Sequence, residues 1–585
     1  MSPIPSAENE VAVTDVREST AHEEAQELED MRNHVKFSSL VLISIVLCLA
    51  TLCVAVDNTI ISTAVPRITH DFHSIDDVGW YAAIYPLTSC AFQPSYGKMY
   101  TLFSSKLVFL AALLIFEIGS VVCATAPNSH VFILGRALAG LGSAGIQAGT
   151  TLILAECVPL HKRPTWNSII GSIFAVGSVA GPLLGGAFSD STTWRWCFYI
   201  NLPIGGAVMI FIAFFYDGSR GGKRTFESTG FRSQIARFDL AGTFTFVLAT
   251  VCLLLALSWG RTTYAWDNAR IVALLMAAGV LFCSFVGVEY WRKDGAIIPL
   301  RLLRRQSILA AIWFGLCLGG VFFVRDSNAD FTVHLADQDT ITFQVNVFYI
   351  PLWFQLVDGV SAVESAILFI PFMLSVVGGF MFAGFGTAAT GYYTPFVYAS
   401  SILMSIGTGF LMTVRPQYTS RAKWVGFQIL CGTGIGLGEE QGLYMVQTTL
   451  PENDVATGLG IILFAQTFGG AVFVSVAQAV FLENITKTLK TLAPNLDPRS
   501  VLSGASTALP GSSHAQASPE LQAVYGVAVK DALRVGLILA TVSSLGALLY
   551  DWKSLKTELD NGRDARTSDH ELEHVAEVRA EGIVK

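Results

Sequence analysis

Residues 177–186 read Gly-Ser-Val-Ala-Gly-Pro-Leu-Leu-Gly-Gly and lie inside a long apolar segment. Gly177, Gly181 and Gly185 recur at every fourth residue, so on a helix they share one face. A face without side chains lets a second helix approach closely, as at small-residue interfaces in membranes. Pro182 removes a backbone donor in the middle of this face and predicts a kink. The stretch therefore predicts a tightly packed membrane helix, and plain helix packing is sufficient to explain these glycines at this point.

The composition is that of a polytopic membrane protein. Of 585 residues, 52% are hydrophobic and only 14% are charged, which a soluble globular domain does not show. The formal net charge of −8 comes largely from acidic terminal segments and gives no reason to expect a nucleic-acid partner. Ten cysteines contain no C-x-x-C pair, so they are interpreted as small core residues and not as metal or disulfide sites. No cofactor is expected.

Apolar stretches long enough to cross about 30 Å of hydrocarbon, which takes about 20 helical residues, recur along the chain. They lie at 38–63, 78–100, 107–126, 131–155, 167–189, 196–216, 238–258, 269–290, 307–357, 361–386, 394–413, 424–450, 457–482 and 532–551. The stretch 307–357 is interrupted and is counted as one span. The predicted fold class is therefore an all-α polytopic membrane protein embedded in the lipid bilayer.

Lysine and arginine fall unevenly between the loops, which predicts the orientation. One set of loops among the first eight spans holds Lys98, Lys106, Lys162, Arg163, Arg220, Lys223, Arg224, Arg232, Arg237, Arg292, Lys293, Arg301, Arg304 and Arg305. The opposite loops hold only Arg67, Arg195 and Arg261. Both termini are therefore predicted to be cytoplasmic.

Three polar segments flank or interrupt the spans. Residues 1–37 are acid-rich and 552–585 mix both charges, so both are predicted to be disordered cytoplasmic tails. Residues 483–531 are predicted to form an extracellular loop. This loop carries the sequon Asn484-Ile485-Thr486, and Asn484 is the candidate glycosylation site although it lies close to the predicted membrane boundary.

Five ionisable residues within the predicted spans are singled out because they lie inside the span and not at its last residues: Asp57, Glu117, Arg136, Glu439 and Glu440. A charge in hydrocarbon costs several kcal/mol, so such residues are functional candidates by default and are expected to face the protein interior. For Asp57 and Arg136 a structural alternative exists, because both are predicted near helix ends where hydration or snorkelling would satisfy the charge. Because Glu439 and Glu440 are adjacent, about 100° apart on a helix, only one is expected to point fully into a cavity.

The glycine stretch, followed by Trp194-Arg195-Trp196-Cys197-Phe198-Tyr199-Ile200-Asn201-Leu202-Pro203, resembles the fifth-helix antiporter motif of major facilitator superfamily exporters. The pairing is similar to the fungal 14-span drug:H⁺ antiporter branch, which contains toxin and multidrug efflux pumps. The resemblance implies that the motif residues are Gly177, Gly181, Pro182, Gly185 and Gly186. It also implies two six-helix bundles, 38–216 and 307–482 with 532–551, separated by cytoplasmic loops and two extra spans within 217–306.

The same resemblance implies roles for the charged residues of the first bundle. The stretch around Asp57 resembles the first-helix motif of the 14-span branch, with Ser62 where that family has asparagine. Residues 135–145 resemble the fourth-helix motif, whose arginine, here Arg136, is assigned to proton transfer. Asp57, Arg136 and Glu117 are therefore candidates for proton coupling or gating, and Asp57 is the expected partner of Arg136.

Two further sites are implied by position. Residues Gly97 to Lys106 stand where the family has its cytoplasmic gate motif, but Thr101 replaces the acidic residue and Ser104 the second glycine. A positive-inside loop explains Gly97 and Lys106 almost as well. The resemblance implies that the twelfth span, with Glu439, Glu440 and Gln441, lines the cavity of the second bundle. Gln466 in the thirteenth span is a further polar candidate for lining it.

The predicted function is proton-coupled efflux of a small organic molecule, such as a secondary metabolite, toxin or drug, across the plasma membrane by a monomer. The partners are the substrate, protons and lipid. An importer of the siderophore-symporter type and a non-transporting membrane sensor are the alternatives. The sequence contains no P-loop and no G-x-S-x-G, so an enzyme is not expected.

The ninth span is interrupted by a polar segment, 324–344, that contains Arg325, Asp326, Asp330, Asp337 and Asp339. Joining Phe323 to Val345 would restore a single helix of sufficient length. The segment is 344 − 324 + 1 = 21 residues long and its removal keeps the reading frame. One hypothesis is that it is an unspliced intron retained in the coding sequence, and the alternative is a genuine polar loop.

Overall fold

The computed structural model describes residues 37–74, 77–216, 238–260, 264–319, 350, 353–354, 357–358, 360, 362–414, 420–492 and 519–555. Its long helices are α1 Phe37–Phe72, α2 Val78–Leu102, α3 Ser105–Thr125, α4 Ser129–Cys157, α5 Arg163–Ser191, α6 Asn201–Phe215, α7 Leu240–Trp259, α8 Ala269–Arg292, α9 Gln306–Gly319, α10 Ala362–Thr390, α11 Thr394–Met412, α12 Arg421–Gly438, α13 Gln441–Thr449, α14 Glu452–Leu492 and α15 Pro519–Leu548. Within these ranges there are isolated bridges but no β-strand. The all-α prediction is confirmed.

Several predicted segments lie outside the described residues. They are most of the two tails (1–36 and 556–585), the loop 217–237 and the whole of 324–344. The intron hypothesis for 324–344 therefore stays a hypothesis.

Side-chain caps define several helix starts. The Asn128 side chain accepts a hydrogen bond from the Val131 backbone N–H at 3.0 Å, and Asp239 accepts one from Gly242 at 2.8 Å. Asn268 does the same for Arg270 at 2.9 Å. Asparagine and aspartate are favoured at these positions because their oxygens satisfy backbone donors that the first helical turn leaves free.

Eleven helices in the described ranges are long and apolar enough to cross a membrane. The predicted second, ninth and twelfth spans do not meet that criterion. Helix α2 carries Gln93 and Lys98 among its apolar residues, α9 leaves the described residues at Gly319, and the twelfth span is divided between α12 and α13. The count of fourteen spans accordingly stays a prediction.

Three predicted boundaries are wrong because helices continue beyond the apolar core. Helix α1 has 36 residues, about 54 Å at the rise of an α-helix, and ends at Phe72, not at residue 63. Helix α14 has 41 residues and continues to Leu492, and α15 already begins at Pro519. Both ends of the predicted 483–531 loop are thus helical. Hydropathy marks where lipid ends, but a helix needs only backbone hydrogen bonds to continue into water.

The predicted continuous twelfth span is also wrong, because the helix is interrupted at Glu439 and Glu440. The preceding residues include Gly432, Gly434, Gly436 and Gly438. Glycine weakens a helix interior by about 1 kcal/mol relative to alanine. Glu440 then adopts φ −93° and ψ −9°, so the backbone stays in the right-handed helical region across the interruption.

Successive helices return to one end of the molecule, here called the basic end. The loops α2–α3, α4–α5 and α8–α9 lie there, with their lysines and arginines. Hydrogen bonds join neighbouring turns at this end, such as Arg305 to the Thr449 carbonyl at 2.8 Å. The Leu555 N–H likewise donates to the Gly391 carbonyl at 2.8 Å.

Helices α1 to α6 pack mainly on one another, as do α9 to α15. The two groups meet chiefly where α2 packs on α14 and where α5 packs on α10. Helices α7 and α8 pack as a pair, and α7 also contacts α2 and α14. This arrangement places α2 and α5 of the first group against the second.

Candidate functional site

The glycine face of α5 packs against α1. A Cβ atom on Gly177 would lie 2.7 Å from the Ala55 Cβ, and one on Gly181 would overlap the Thr59 hydroxyl. A Cβ on Gly185 would lie 2.6 Å from the Ile60 carbonyl. These contacts confirm the prediction that a second helix approaches this face. They also identify that helix as the one carrying Asp57.

Two details distinguish the other members of the motif. The Thr63 hydroxyl donates to the Pro182 carbonyl at 3.0 Å, so α1 is attached to α5 beside the proline. A Cβ atom on Gly186 would have no described atom of another residue within 4 Å, so this glycine does not belong to the packed face. Glycine at position 186 is not needed for helix approach.

Asp57 and Arg136 form a buried ion pair. Arg136 Nη1 lies 2.6 Å from Asp57 Oδ2, and both side chains are 0% exposed. Nη1 also donates to the Asp57 carbonyl at 3.3 Å, and the guanidinium lies over the Tyr85 ring, 4.4 Å from its centroid. The predicted pairing is confirmed. The alternatives of hydration or snorkelling do not apply, because neither side chain is exposed.

Asn201 at the start of α6 completes this cluster. Its Nδ2 donates to Asp57 Oδ1 at 3.0 Å and to the Ser120 hydroxyl of α3 at 3.2 Å. Residues from α4 and α6 thus bind the carboxylate of α1 directly, and α3 joins the cluster through Asn201. Sequence reasoning quoted Asn201 within the Trp194–Pro203 stretch but did not single it out. Its position as a polar residue at an apolar helix start was the available signal.

Glu117 lies in the same bundle, on α3. The residue is 6% exposed, and a Cβ atom on Gly205 of α6 would overlap its carboxylate. The prediction that Glu117 faces the protein interior is confirmed, and its role stays a prediction.

Besides Asn201, the Trp194–Pro203 stretch contains residues that bind the ends of neighbouring helices. Arg195 donates to the carbonyls of Ala124 and Ala126, each at 3.1 Å, and so satisfies the end of α3. The Trp194 indole donates to Asp71 Oδ2 at 2.7 Å. Trp194 also packs edge-on against Phe132. These residues stabilise the end of the first bundle opposite the basic end.

The predicted gate motif lies where the two halves touch. A Cβ atom on Gly97 would lie 2.8 Å from the Ala456 carbonyl and 3.1 Å from the Gly460 Cα on α14. The Thr101 hydroxyl is 3.0 Å from that of Thr457. Thr101, which replaces the family's acidic residue, therefore makes a neutral contact between the halves. Lys106 is half-buried at the start of α3.

We expect the double variant Thr101→Cys/Thr457→Cys to form a disulfide on oxidation, because the two hydroxyl oxygens are only 3.0 Å apart. A bond here would hold the halves together at the basic end and stop the export that the sequence predicts, and a reductant would restore that export. Mobility on a non-reducing gel and export of a fluorescent dye measure both effects.

The matched control for this cross-link is Thr88→Cys/Thr457→Cys. Thr88 lies on the same helix, 13 residues away, or about 20 Å along the helix axis. Equal cross-linking in both pairs, or export that persists in the cross-linked protein, would contradict the contact or its importance.

A second contact between the halves lies deeper in the membrane. Gln93 Nε2 donates to Gln147 Oε1 at 3.1 Å, and the Thr467 hydroxyl of α14 donates to Gln93 Oε1. Buried amides and hydroxyls in a membrane need such partners. Sequence reasoning did not single out these residues, since glutamine and threonine carry no charge that marks them within an apolar span.

The predicted cavity residues divide between different surroundings. Glu440 Oε1 would lie 3.2 Å from a Cβ on Gly171 of α5, so this acid is placed between the halves. Gln466 Nε2 donates to the Glu439 carbonyl at 2.9 Å. Gln441 is 0% exposed and donates to the Leu437 carbonyl at 3.0 Å, so it supports the helix interruption instead of lining an open space.

Asn484 lies inside α14 and not on an extracellular loop. The next residue, Ile485, is 0% exposed. This placement contradicts the predicted loop position of the sequon. It gives no support to glycosylation, which needs an accessible surface segment.

Comparisons with known proteins support one family. The model of the Major Facilitator Superfamily matches residues 47–474. The efflux pump roqT of Penicillium rubens is 40% identical over 532 residues, covering 91% of this chain and 93% of that protein. The MFS-type efflux pump MFS1 of Trichophyton rubrum is 42% identical over 524 residues, with 90% and 93% covered.

Among solved structures, the proton:xylose symporter XylE matches with a TM-score of 0.56 and 14% identity, covering 89% of this chain and 99% of that chain. The human organic anion transporter MFSD10 matches with a TM-score of 0.52 and 13% identity, covering 85% and 98%. At these identities the likeness concerns the fold alone.

Proposed function

Because this chain belongs to the major facilitator superfamily, we propose that it exports small organic molecules in exchange for protons. Its relatives at about 40% identity are named efflux pumps, and efflux is the transport function that they support. Their names favour export over the siderophore-importer alternative. We further propose that this export is coupled to protons, that it occurs at the plasma membrane, and that the residues named below carry it.

One observation carries the coupling: the fully buried Asp57–Arg136 pair. Burying two charges in a low-dielectric interior costs more than their attraction readily returns, so such a pair is weak evidence for stability. Intramembrane ionisable residues instead mark ion and proton pathways. Here the pair lies where α1 and α4 meet, and α1 in turn packs on the glycine face of α5.

Helix contacts connect the Asp57–Arg136 pair to the second half of the molecule. Helix α1 is fixed to α5 through Thr59 and Thr63, and α5 packs on α10 of the second half. In this proposal, a change of charge in the cluster shifts α1 against α5, and α5 transmits the shift to the opposite half. Rocking of two bundles around a midplane site is the motion that such repeats permit.

We assign the basic end to the cytoplasm, since lysine and arginine accumulate on that side. Both termini then lie in the cytoplasm and the plasma membrane is the expected location. The contacts Gly97–Gly460 and Thr101–Thr457 would close the cytoplasmic side in the described conformation. The chain acts as a monomer in this scheme, because both faces of the pathway come from its own two halves.

The expected cargo is largely apolar. Aromatic residues make up 11% of the chain, and Glu440 between the halves supplies an acidic group beside Gly171. An apolar molecule with a cationic or hydrogen-bond-donating group fits these surroundings best.

A dye-efflux assay tests the coupling. In vesicles containing the full chain, a proton gradient should drive transport of rhodamine 6G, and a protonophore should abolish it. The variant Asp57→Asn keeps the side-chain size but removes the charge, so gradient-driven transport per folded transporter should fall at least tenfold. Gradient-driven transport by Asp57→Asn equal to wild type would refute a role of the Asp57–Arg136 pair in the coupling. Wild-type efflux that ignores the protonophore would refute proton exchange itself.

A further inference from the structure

Two carboxylates belong to one buried cluster of the first bundle, Asp57 on α1 and Glu117 on α3. Asn201 donates both to Asp57 and to Ser120, which lies three residues from Glu117 on α3. Their surroundings differ. Asp57 accepts hydrogen bonds from Arg136 and from Asn201. Glu117 is 6% exposed, and in the described part of the chain neither of its carboxylate oxygens has a hydrogen-bond partner. Hydrogen-bond donors therefore stabilise the ionised form of Asp57 but not that of Glu117.

Gly205 of α6 makes room for the Glu117 carboxyl group. A Cβ atom at position 205 would overlap Oε1 and lie 2.6 Å from Cδ. The lack of a side chain on glycine leaves space for the carboxyl group, but it adds no hydrogen-bond donor. The local structure thus accommodates the shape of a carboxyl group without stabilising a charge on it.

Among the described residues, the charged and titratable groups around Glu117 supply no second cation. The titratable groups that interact with Glu117 or Asp57 from neighbouring elements are Cys53 on α1, Tyr85 on α2, Arg136 on α4 and Cys197 in the turn Trp196–Tyr199. Helix α6 has no titratable side chain. The one guanidinium is already bound to Asp57, so ionising both acids would leave two negative charges and one positive charge buried together.

We propose that Glu117, and not Asp57, holds the exchangeable proton of this exporter. An ionised carboxylate without donors is strongly disfavoured in a low-dielectric interior, whereas its neutral acid form is tolerated. Asp57 stays ionised because its pair with Arg136 and Asn201 satisfies it. This inference rests on the proposed proton coupling.

The exchange then needs only a proton and a conformational change. In the described conformation the Glu117 carboxyl group retains its proton between α3 and α6. Separation of these helices would admit water to the carboxyl group, which releases the proton and becomes a carboxylate that water can hydrate. Return to the packed arrangement requires a proton to bind again.

Infrared difference spectroscopy tests the assignment on the purified full chain in lipid nanodiscs. At neutral pH the wild type should show the C=O stretch of a carboxylic acid without hydrogen bonds, which shifts on deuteration. Glu117→Gln should lose this band completely. Asp57→Asn/Arg136→Gln should keep it, because that double variant removes the ion pair together and leaves no unpaired arginine to attract Glu117.

A band that survives in Glu117→Gln and disappears in Asp57→Asn/Arg136→Gln would overturn the assignment, as would a wild type without such a band. Glu117→Asp serves as a second variant, since it keeps an acid and should retain a shifted band. Circular dichroism confirms that each variant is folded.

The dye-efflux assay separates this inference from the coupling itself. Glu117→Gln should still bind rhodamine 6G. The stimulation of its export by the proton gradient should be at least tenfold smaller than in the wild type. Wild-type export that ignores a protonophore, with the infrared band still assigned to Glu117, would refute the coupling and support the site of protonation. Proton-coupled export together with an infrared band that disappears when Asp57 is replaced would refute Glu117 as the site of protonation and leave the coupling intact.

Discussion

Gly181→Leu is expected to abolish export, whereas Gly186→Leu, five residues further along the same helix, is expected to retain it. A Cβ atom at position 181 would overlap the Thr59 hydroxyl and lie 3.0 Å from the backbone nitrogen of Ile60. Because a backbone atom of α1 is involved, a rotamer change cannot relieve the clash. Overpacking costs about 1–3 kcal/mol in ordinary cores, and here it also separates α1 from α5.

The control isolates contact from helix propensity, since both variants exchange glycine for leucine inside α5. No described atom of another residue would lie within 4 Å of a Cβ on Gly186. Export of rhodamine 6G per transporter at the membrane and the thermal unfolding temperature in detergent measure the difference. Equal loss of export in both variants would show that the close approach of α1 is not what the motif provides.

Arg136→Gln is expected to be the most destabilising single substitution in the first bundle. It leaves Asp57 buried without its cation, and breaking a buried pair by removing one partner costs about 3–5 kcal/mol. Asp57→Asn leaves the guanidinium uncompensated and should cost a similar amount. The double variant Asp57→Asn/Arg136→Gln removes both charges and keeps amide hydrogen bonding, so most of the stability should return.

Thermal unfolding of the four proteins gives the coupling energy between the two residues. Export should remain absent in the double variant although its stability recovers, because the ion pair is then missing from an otherwise folded bundle. Additive losses of stability would contradict a direct interaction between Asp57 and Arg136. Recovery of export together with stability would show that the pair serves the fold alone.

Much of the architecture could be predicted from local sequence. Apolar length identified most helices, because about 30 Å of hydrocarbon requires a minimum run of apolar residues. Every-fourth-residue glycines in 177–185 identified a packed face, since helix periodicity alone places them together. The pairing of Asp57 with Arg136 was predicted because a buried guanidinium needs an acid and the resemblance placed both in one bundle.

Other predictions failed where local signals are ambiguous. Hydropathy could not show that α1 continues to Phe72 or that α14 includes Asn484, because a helix leaving lipid looks like any polar segment. The interruption at Glu439 was missed because glycines also serve close packing in membranes. The resemblance included Gly186 in the motif, but a Cβ atom there would have no described atom of another residue within 4 Å.

The sequence by itself determined a helical membrane protein, a basic side, a glycine face and a short set of buried charges. These follow from properties read along the chain, namely hydropathy, charge and helical period. Only the tertiary structure decided which of those charges have partners. Asp57 is satisfied by Arg136, 79 residues away, and by Asn201, 144 residues away, while Glu117 packs against Gly205. Such distant contacts depend on how whole helices pack, and no local pattern encodes them.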